Sequence, residues 1–591
     1  MGVVLFSKGG SYRITRINKM ILYDKFIVQS KNKEMEIKLQ NHPDKLTEKD
    51  IPFLIGLFSI GLFLFLFYTW AMPLIDPDEP RYASTARDMV LNGNWIVPHF
   101  NGVPRINKPP LFYWTIAISY KIFGINEFSA RLPSALAATG TVLITYLWGK
   151  RLADRKNGFW AGMVLMASPL FFLISRFCIT DMLLSFFICS SLYLFFVEYM
   201  ESNNRCKGGF ETRPYRRLFL YFLLGMVFLV KGPVGILLFI LITLCFLLWI
   251  RDFRYIRRLW YLPGFLLFLG IICAWGIPFW LSLGTKQISS LLSQEMSGRF
   301  VSGYAHPEPF YYYLPVFIIG FFPWSLFVFI TFIHAIKQRK NMPATEKKQV
   351  YFFCSWLILT LIFFSMSHSK LMTYVLPLSP SVALLTVSLS RWEMEGKLGK
   401  RHLWILWPTV FVSAMIPIAL IITMPKWVPA KHGLSTIHIA LPIIILLIGT
   451  LIALFTFVRS KRFFQLKKVF CFTNCIFLVI TITYSAKYLG TFRSTKGIVE
   501  KCLSCKDENY VLLSYTKIVP SLVFYSGKNI LEMETYTSLK KIVPDPETSI
   551  YVVMSLNDYQ KKQDWIQKKN FHAVCQNNAH VMLKKEPNTD K

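Results

Sequence analysis

The sequence predicts a polytopic α-helical membrane protein of about thirteen transmembrane helices, followed by a C-terminal α/β extracytoplasmic domain. Three observations lead to this. Hydrophobic residues make up 53% of the 591 positions, too large a share for one soluble domain. They gather in runs of roughly 20, the length an α-helix needs to cross a bilayer. Basic residues alternate between successive loops, as the positive-inside rule requires of a multi-pass chain.

Residues 1–50 are polar, of mixed charge and without a strong period, and are expected to form a cytoplasmic N-terminal extension. No cleavable signal peptide is recognisable, and Met20 or Met35 are alternative starts. Apolar runs then mark spans near 51–73, 129–149, 158–175, 180–198, 217–231, 233–250, 261–283, 311–335, 350–366, 371–390, 403–424, 438–458 and 469–488. Little more than Lys231-Gly232-Pro233 separates the fifth from the sixth, and a short helix at 109–123 stays within a loop. The loops of one set hold twenty-seven Lys and Arg between Lys150 and Lys468, whereas the opposite set, the long first loop aside, holds seven. The N-terminus is therefore expected in the cytoplasm, and an odd number of spans exports the chain after about residue 489. The net charge of +33 becomes a topology signal, so nucleic acid is discounted as a partner. The expected domains are the extension 1–50, a transmembrane domain 51–489 and a C-terminal domain 490–591. Most of the eleven cysteines lie in apolar runs and act as small hydrophobes, while Cys502 and Cys505 in the tail could form a disulfide if exported.

The chain is organised around its first extracytoplasmic loop, 76–128. Asp76, Asp78, Glu79, Arg81, Arg87, Asp88, Arg105 and Lys108 give it a charge density that no bilayer core accepts. Pro80 suits a first helical turn, Asp78 can cap it and Gly93 can close it, which predicts a helix over 80–92. Tyr82, Ala86, Met89 and Val90 share one face, with Arg81, Arg87 and Asp88 off it. That is the pattern of a helix lying flat at a membrane surface and holding acids at headgroup height.

Three strings in this loop, DEPRYA (78–83), GNWIVPHFNGVPRINKPPLFYW (93–114) and FGINEFSARLPSAL (123–136), resemble the first extracytoplasmic loop of the bacterial 4-amino-4-deoxy-L-arabinose transferases. That family belongs to the GT-C membrane glycosyltransferases, which include the protein O-mannosyltransferases. The run Ser367 to Pro377 is similar to the family's SxxKLxxYxLP element, and the tail follows the order of the family's exported domain. The resemblance implies transfer of a sugar, aminoarabinose in the family, from undecaprenyl phosphate to lipid A or a related envelope acceptor in the bacterial inner membrane. The partners implied are a lipid-linked sugar donor, that acceptor and membrane lipids.

Residue by residue, the resemblance makes Asp78, with Glu79 beside it, the catalytic acids, Asp78 orienting or activating the acceptor. Arg81 and Tyr82 adjoin them in the motif. Lys108, Lys231, Lys370 and Tyr374 are expected to bind substrate, with Arg299 in a lid loop, 284–312. The residues themselves suit a glycosyl transfer, which needs carboxylate on one side of an oxocarbenium-like centre and cations on the departing phosphate. Each also has a plainer role open to it. Asp78 and Glu79 suit a helix start, Lys108 and Lys370 can anchor at the interface, and Tyr311 to Tyr313 form an aromatic belt. Asp181 pairs most simply with Arg176. Lys231, alone at membrane depth, is a functional candidate by default. The family often has an acid before the lysine of KPP and a histidine after the loop glutamate, where this chain has Asn107 and Met296. Catalysis without a tightly bound metal is therefore expected, and no cofactor is assigned.

The tail predicts strands at 510–515, 529–534, 549–554 and 571–575 with helix over 557–569, a partly parallel α/β domain serving as a lid or docking module. A related transferase glycosylating a protein or another glycolipid is the nearest variant, and a transporter of lipid-linked sugars and a non-catalytic scaffold are the competing classes. The paired broken helices typical of transporters are not evident in the sequence.

Overall fold

The computed structural model describes residues 46–204, 214–290, 307–398, 407–413, 415, 418, 436–460, 462–502, 510–533 and 549–585. The chain forms two units, Met1–Phe53 and Leu54–Lys591. In the first, Asp50 accepts from the Thr47 amide (2.8 Å) and hydroxyl (2.9 Å), closing a 3₁₀ turn over Glu48–Asp50.

Helix α1 (Ile51–Leu66) leads into the first loop, which contains α2 (Asp78–Asn92), the hairpin β1 (His99–Phe100) and β2 (Val103–Pro104), and α3 (Leu111–Phe123). There follow α4 (Glu127–Leu152), α5 (Arg155–Met166), α6 (Pro169–Ile174), α7 (Thr180–Asn204), α8 (Pro214–Lys231), α9 (Pro233–Trp249), α10 (Phe253–Leu259), α11 (Leu262–Leu283), α12 (Tyr313–Gly320) and α13 (Trp324–Gln338). The last long helices are α14 (Ala344–Ser365), α15 (Ser379–Met394), α16 (Thr436–Ser460) and α17 (Phe463–Arg493). Among the described residues eight helices are long and apolar enough to cross a membrane, or nine if α12 and α13 count as one span. The protein is a multi-pass membrane protein.

The expected span boundaries shift where proline intervenes. The run 158–175 is broken between α5 and α6 ahead of Pro169, and 311–335 is two helices bent by 105° at Pro323. Proline lacks the amide that a helix needs and disfavours helical geometry in the residue before it. The run 371–390 opens as a 3₁₀ helix, Met372–Leu378, that contains Pro377. The run 217–231 lies in α8 and 233–250 in the shorter α9, and 403–424 falls largely outside the described residues.

Small residues let α4 and α5 touch along their backbones. A Cβ on Gly158 would stand 2.6 Å from the Tyr146 carbonyl oxygen, so only glycine fits. Nearby, the buried Trp148 ring lies 5.3–5.6 Å from those of Tyr193, Phe196, Phe352, Phe353 and Trp356, which ties α4 to α7 and α14. Pairs of this kind contribute about 0.5–1.5 kcal/mol each beyond their buried area.

The C-terminal domain comprises α18 (Lys496–Cys502), β3 (Tyr510–Tyr515), α19 (Pro520–Ser526), β4 (Leu531–Met533), β5 (Ser549–Ser555), α20 (Leu556–Lys561), α21 (Gln563–Lys568), β6 (His572–Gln576) and β7 (His580–Lys585). Its sheet order is β4-β3-β5-β7-β6, parallel across β4, β3 and β5 and antiparallel across β7 and β6. Strand β7 is absent from the sequence-based expectation. Leu512, Tyr551 and Val553 pack with Val499, Leu522 and Val523 on one face, while Leu513, Ile550 and Val552 pack with Ile566 and Phe571 on the other. Burial on both faces explains why β3 and β5 read as continuous apolar runs. Cys575 is disulfide-bonded, while the side chains of Cys502 and Cys505 lie outside the described residues.

This domain packs against the first loop of the transmembrane part. There the Asp76 amide donates to the Arg493 carbonyl (2.8 Å) and the Ser521 amide to Asp76 Oδ1 (2.8 Å). Tyr525 accepts from the Leu74 amide (2.7 Å) and donates to Glu127 (3.1 Å), which also pairs with Lys496 (2.6 Å). Asn101 exchanges two hydrogen bonds with the Ile530 backbone, and Phe100 packs against the core of the domain. The expectation that α2 lies flat on the membrane is therefore corrected. Arg87 is buried rather than solvated, donating to the Val523 and Phe524 carbonyls at 3.2 and 2.7 Å.

Candidate active site

Residues from the first loop, the start of α7, the end of α8 and the 3₁₀ helix before α15 enclose one cavity of about 760 Å³. Asp78, Glu79, Arg81, Tyr82, Lys108, Lys231, Lys370 and Tyr374 all line it, so the structure brings together eight of the nine expected site residues. The ninth, Arg299, lies outside the described residues, as do Glu295, Met296 and His306 of the loop 284–312.

The N-terminal turn of α2 separates its two acids. Pro77 occupies the capping position and Asp78 is the first helical residue, so the expected Asp78 cap does not form. Asp78 and Arg81 instead make a loose, half-exposed pair at 3.7 Å on the cavity wall. Glu79 turns inward, where Arg131 grips it through Nε (2.9 Å) and Nη2 (2.7 Å), and the amides of Cys178 (2.7 Å) and Ile75 (2.9 Å) donate to the same carboxylate. Arg131 also donates to the Thr69, Met72 and Pro73 carbonyls. Glu79 is thus the strut that clamps the loop onto α4. Its two oxygens are occupied by four donors.

Arg81 and Arg105 stand close on the same wall. Burial and the neighbouring Arg105 both lower the pKa of Arg81, so an anion placed between them relieves their repulsion. Tyr82 is buried beneath, its ring 5.4 Å from Phe112 and 5.7 Å from Tyr113, with the Arg105 guanidinium 5.0 Å above it. Burial pushes the Tyr82 hydroxyl well above its ordinary pKa, so it remains a donor. Arg105 was missed as a site residue, although it stands only three positions from Lys108.

Lys231 ends α8 because Gly232 adopts a positive φ of 69° and Pro233 starts a new helix. Its ammonium bonds Asp181 at the start of α7 and lies 4.3 Å from the centre of the Tyr374 ring. The expected Arg176–Asp181 pair is therefore corrected. Arg176 is buried and donates to the Leu64 carbonyl at 2.5 Å and to that of Phe67, away from Asp181. Lys370 is also buried, and its Nζ donates to the Glu308 carbonyl at 2.8 Å, so it ties the end of the loop 284–312 to the cavity.

Among the described residues five cations, Arg81, Arg105, Lys108, Lys231 and Lys370, face this space. Glu79 is already matched by Arg131 from outside the lining, which leaves Asp76, Asp78, Asp181 and Glu308 as their counterparts. Such a set can hold a phosphate and leave carboxylates accessible at its edge, Asp78 beside Arg81 and the exposed Glu308. Among the described residues no three His, Cys, Asp or Glu side chains gather to hold a metal ion.

Residues 107–277 match the dolichyl-phosphate-mannose-protein mannosyltransferase family. An undecaprenyl phosphate-alpha-4-amino-4-deoxy-L-arabinose arabinosyl transferase of Aeromonas salmonicida is 29% identical over 347 residues, covering 57% of this chain and 61% of that protein. An uncharacterized protein of Aquifex aeolicus is 31% identical over 342 residues, covering 57% of this chain and 72% of the relative. Another from the same organism is matched over 65% of its length, so the chain spans about three fifths of several of the curated relatives it matches. The crystal structure of ArnT from Cupriavidus metallidurans bound to undecaprenyl phosphate superposes with a TM-score of 0.74 at 20% identity, covering 90% of this chain and 97% of that one. The fold thus has a counterpart over nine tenths of this chain, and the chain belongs to the GT-C membrane glycosyltransferases, within the group of aminoarabinose transferase-like proteins.

Proposed function

We propose that the protein transfers a sugar, 4-amino-4-deoxy-L-arabinose in the nearest reading, from undecaprenyl phosphate to the phosphate of lipid A or a related envelope glycolipid. The observation that carries this is the single cavity shared by Asp78, Arg81, Lys108, Lys231, Lys370 and Tyr374. In the reaction, the bond between the anomeric carbon and the donor phosphate oxygen breaks, and its electron pair stays on the phosphate. Lysine and arginine meet that growing charge, Arg with a two-pronged fork and Lys as a mobile point charge. The acceptor oxygen bonds the anomeric carbon from the opposite face. A phosphate acceptor is already anionic, so Asp78 holds the amino sugar or orients the acceptor and takes up no proton. With a hydroxyl acceptor, the proton passes to Asp78.

The cavity is placed on the extracytoplasmic side of the inner membrane in this reading, with the N-terminus cytoplasmic and the C-terminal domain periplasmic. The twenty-seven to seven imbalance of basic residues supports that orientation. No tightly bound metal is assigned, because Asn107 stands at the cavity wall where the family often has an acid. Reconstitution of the purified protein with lipid-linked sugar and lipid A tests the reading, with product detected by mass spectrometry. Transfer that persists after exhaustive chelation is expected. Loss on chelation that one metal restores refutes the metal-free assignment, and absence of product with every donor and acceptor refutes the reading itself.

A further inference from the structure

Helix α2 carries the reacting acid at its first turn and walls a second cavity at its last. This crevice, of about 490 Å³, lies between the end of α2, the β1–β2 turn and the loop after α19. That volume is within the range of small-molecule sites, roughly 300–1,000 Å³. Its polar lining comes from Arg87, Asp88, Asn92, Asn94, His99 and Asn529. A Cβ on Gly102, whose φ is +77°, would stand 3.3 Å from Asn529 Nδ2, so glycine keeps the opening between hairpin and domain clear.

The charges in this crevice cancel. Asp88 Oδ1 lies 3.7 Å from Arg87 Nη2; burial raises the Asp88 carboxyl's pKa, against the opposing charges of Arg87 and His99. An added phosphate or carboxylate would meet the Asp88 carboxylate at short range, whereas a neutral ligand meets both donors and acceptors. Arg87 is 7% exposed and its Nη1 is committed to two carbonyls, yet its Nε has no hydrogen-bond partner among the described residues. His99 Nδ1 is engaged by the Val97 carbonyl at 2.9 Å, which leaves Nε2 as the ring's other polar atom. Asn94 uses its oxygen on the Ile96 and Val97 amides, which leaves its NH₂ as a donor. Guanidinium, imidazole, carboxamide and carboxylate together suit hydroxyl groups, each of which donates and accepts.

We propose that this crevice binds the neutral saccharide portion of the glycan-bearing acceptor. The identification of the ligand as an acceptor rests on the transferase reading; the saccharide specificity rests on the crevice alone. Ten residues separate Asp78 from Asp88, about 15 Å along the helix at 1.5 Å per residue. One rigid element thereby fixes the spacing between the transfer point and a glycan held at its far end.

The test is photolabelling of the full-length wild-type protein in detergent with a diazirine-bearing N,N′-diacetylchitobiose, followed by peptide mapping. Labels within 87–102 and 527–529, displaced by unlabelled chitobiose and unaffected by equimolar inorganic phosphate, are expected. Saturation-transfer NMR should show saccharide binding weakened about tenfold, roughly the loss of one or two neutral hydrogen bonds, in His99→Ala and Asn529→Leu and retained in Asp78→Ala. Absence of label from these peptides, displacement by phosphate, or unchanged binding in both folded variants overturns the proposal. Mapping on the wild-type protein needs no variant to fold. If the crevice is labelled while reconstituted protein makes no product, the transferase reading falls and saccharide binding stands. If transfer proceeds and the crevice stays unlabelled, only the crevice proposal falls.

Discussion

Lys231 and Asp181, fifty residues apart in sequence, form a buried ion pair beside the face of the Tyr374 ring. The pair holds the end of α8 against the start of α7 and presents an ammonium to the cavity. It fastens two helices and, in the proposed reaction, also binds the donor phosphate.

Those two roles separate by mutation. Lys231→Met leaves the buried Asp181 without its ion-pair partner, with only Thr373 and the charge of Lys108 to support it, which costs up to about 3–5 kcal/mol. Lys231→Met with Asp181→Asn should recover most of that stability in thermal unfolding. It should not recover transfer, which stays about a hundredfold below wild type because a cation facing the departing phosphate is gone. Recovery of both would make the pair purely structural.

Glu79 and Asp78 are adjacent but differ in what they support. Glu79→Ala breaks the Arg131 clamp and leaves a buried guanidinium unpaired, for a loss of about 3–5 kcal/mol. Asp78→Asn removes only a half-exposed contact with Arg81 and should change stability by less than about 1 kcal/mol. Unfolding midpoints of the two purified variants compare them directly; equal losses would contradict the assignment.

Docking of the C-terminal domain should depend on pH through Asp76. Burial raises its carboxyl from 3.8 to about 6, against the opposing effects of the Ser521 bonds and of Arg81 and Arg493. A carboxyl raised in the folded state contributes stability that is fully present below pH 3.8 and fades as pH rises through about 6. Once intrinsic exchange is corrected for, hydrogen exchange at residues 520–526 should therefore be slower at pH 5 than at pH 8. Asp76→Asn should flatten that difference. A flat wild-type response would show that Asp76 does not govern the contact.

Much of this was legible in the chain because hydropathy and charge act locally. The length of an apolar run and the imbalance of basic loops need no knowledge of neighbours, and the DEPRYA, KPP and SHSKLMTY strings held seven of the eight expected site residues that line the cavity. What stayed hidden depends on partners far along the chain. Arg131 lies in a helix start that reads as ordinary, and nothing local announces that it reaches Glu79. Arg176 is five positions from Asp181, so a local pairing was the simplest reading, but the fold sends it to the carbonyls that end α1. Arg87 read as solvent-facing because the domain that buries it begins four hundred residues later. Strand β7 was missed because its apolar centre, Val581 to Leu583, is short and runs into lysines.

The most direct test of the account is the transfer rate of reconstituted Asp78→Ala protein, measured with donor and acceptor at saturation alongside donor affinity. A fall in kcat of about a hundredfold or more is expected, the scale of losing one positioned catalytic group, with donor affinity and folding close to wild type. Wild-type turnover by the folded variant would contradict the claim that transfer takes place in this cavity.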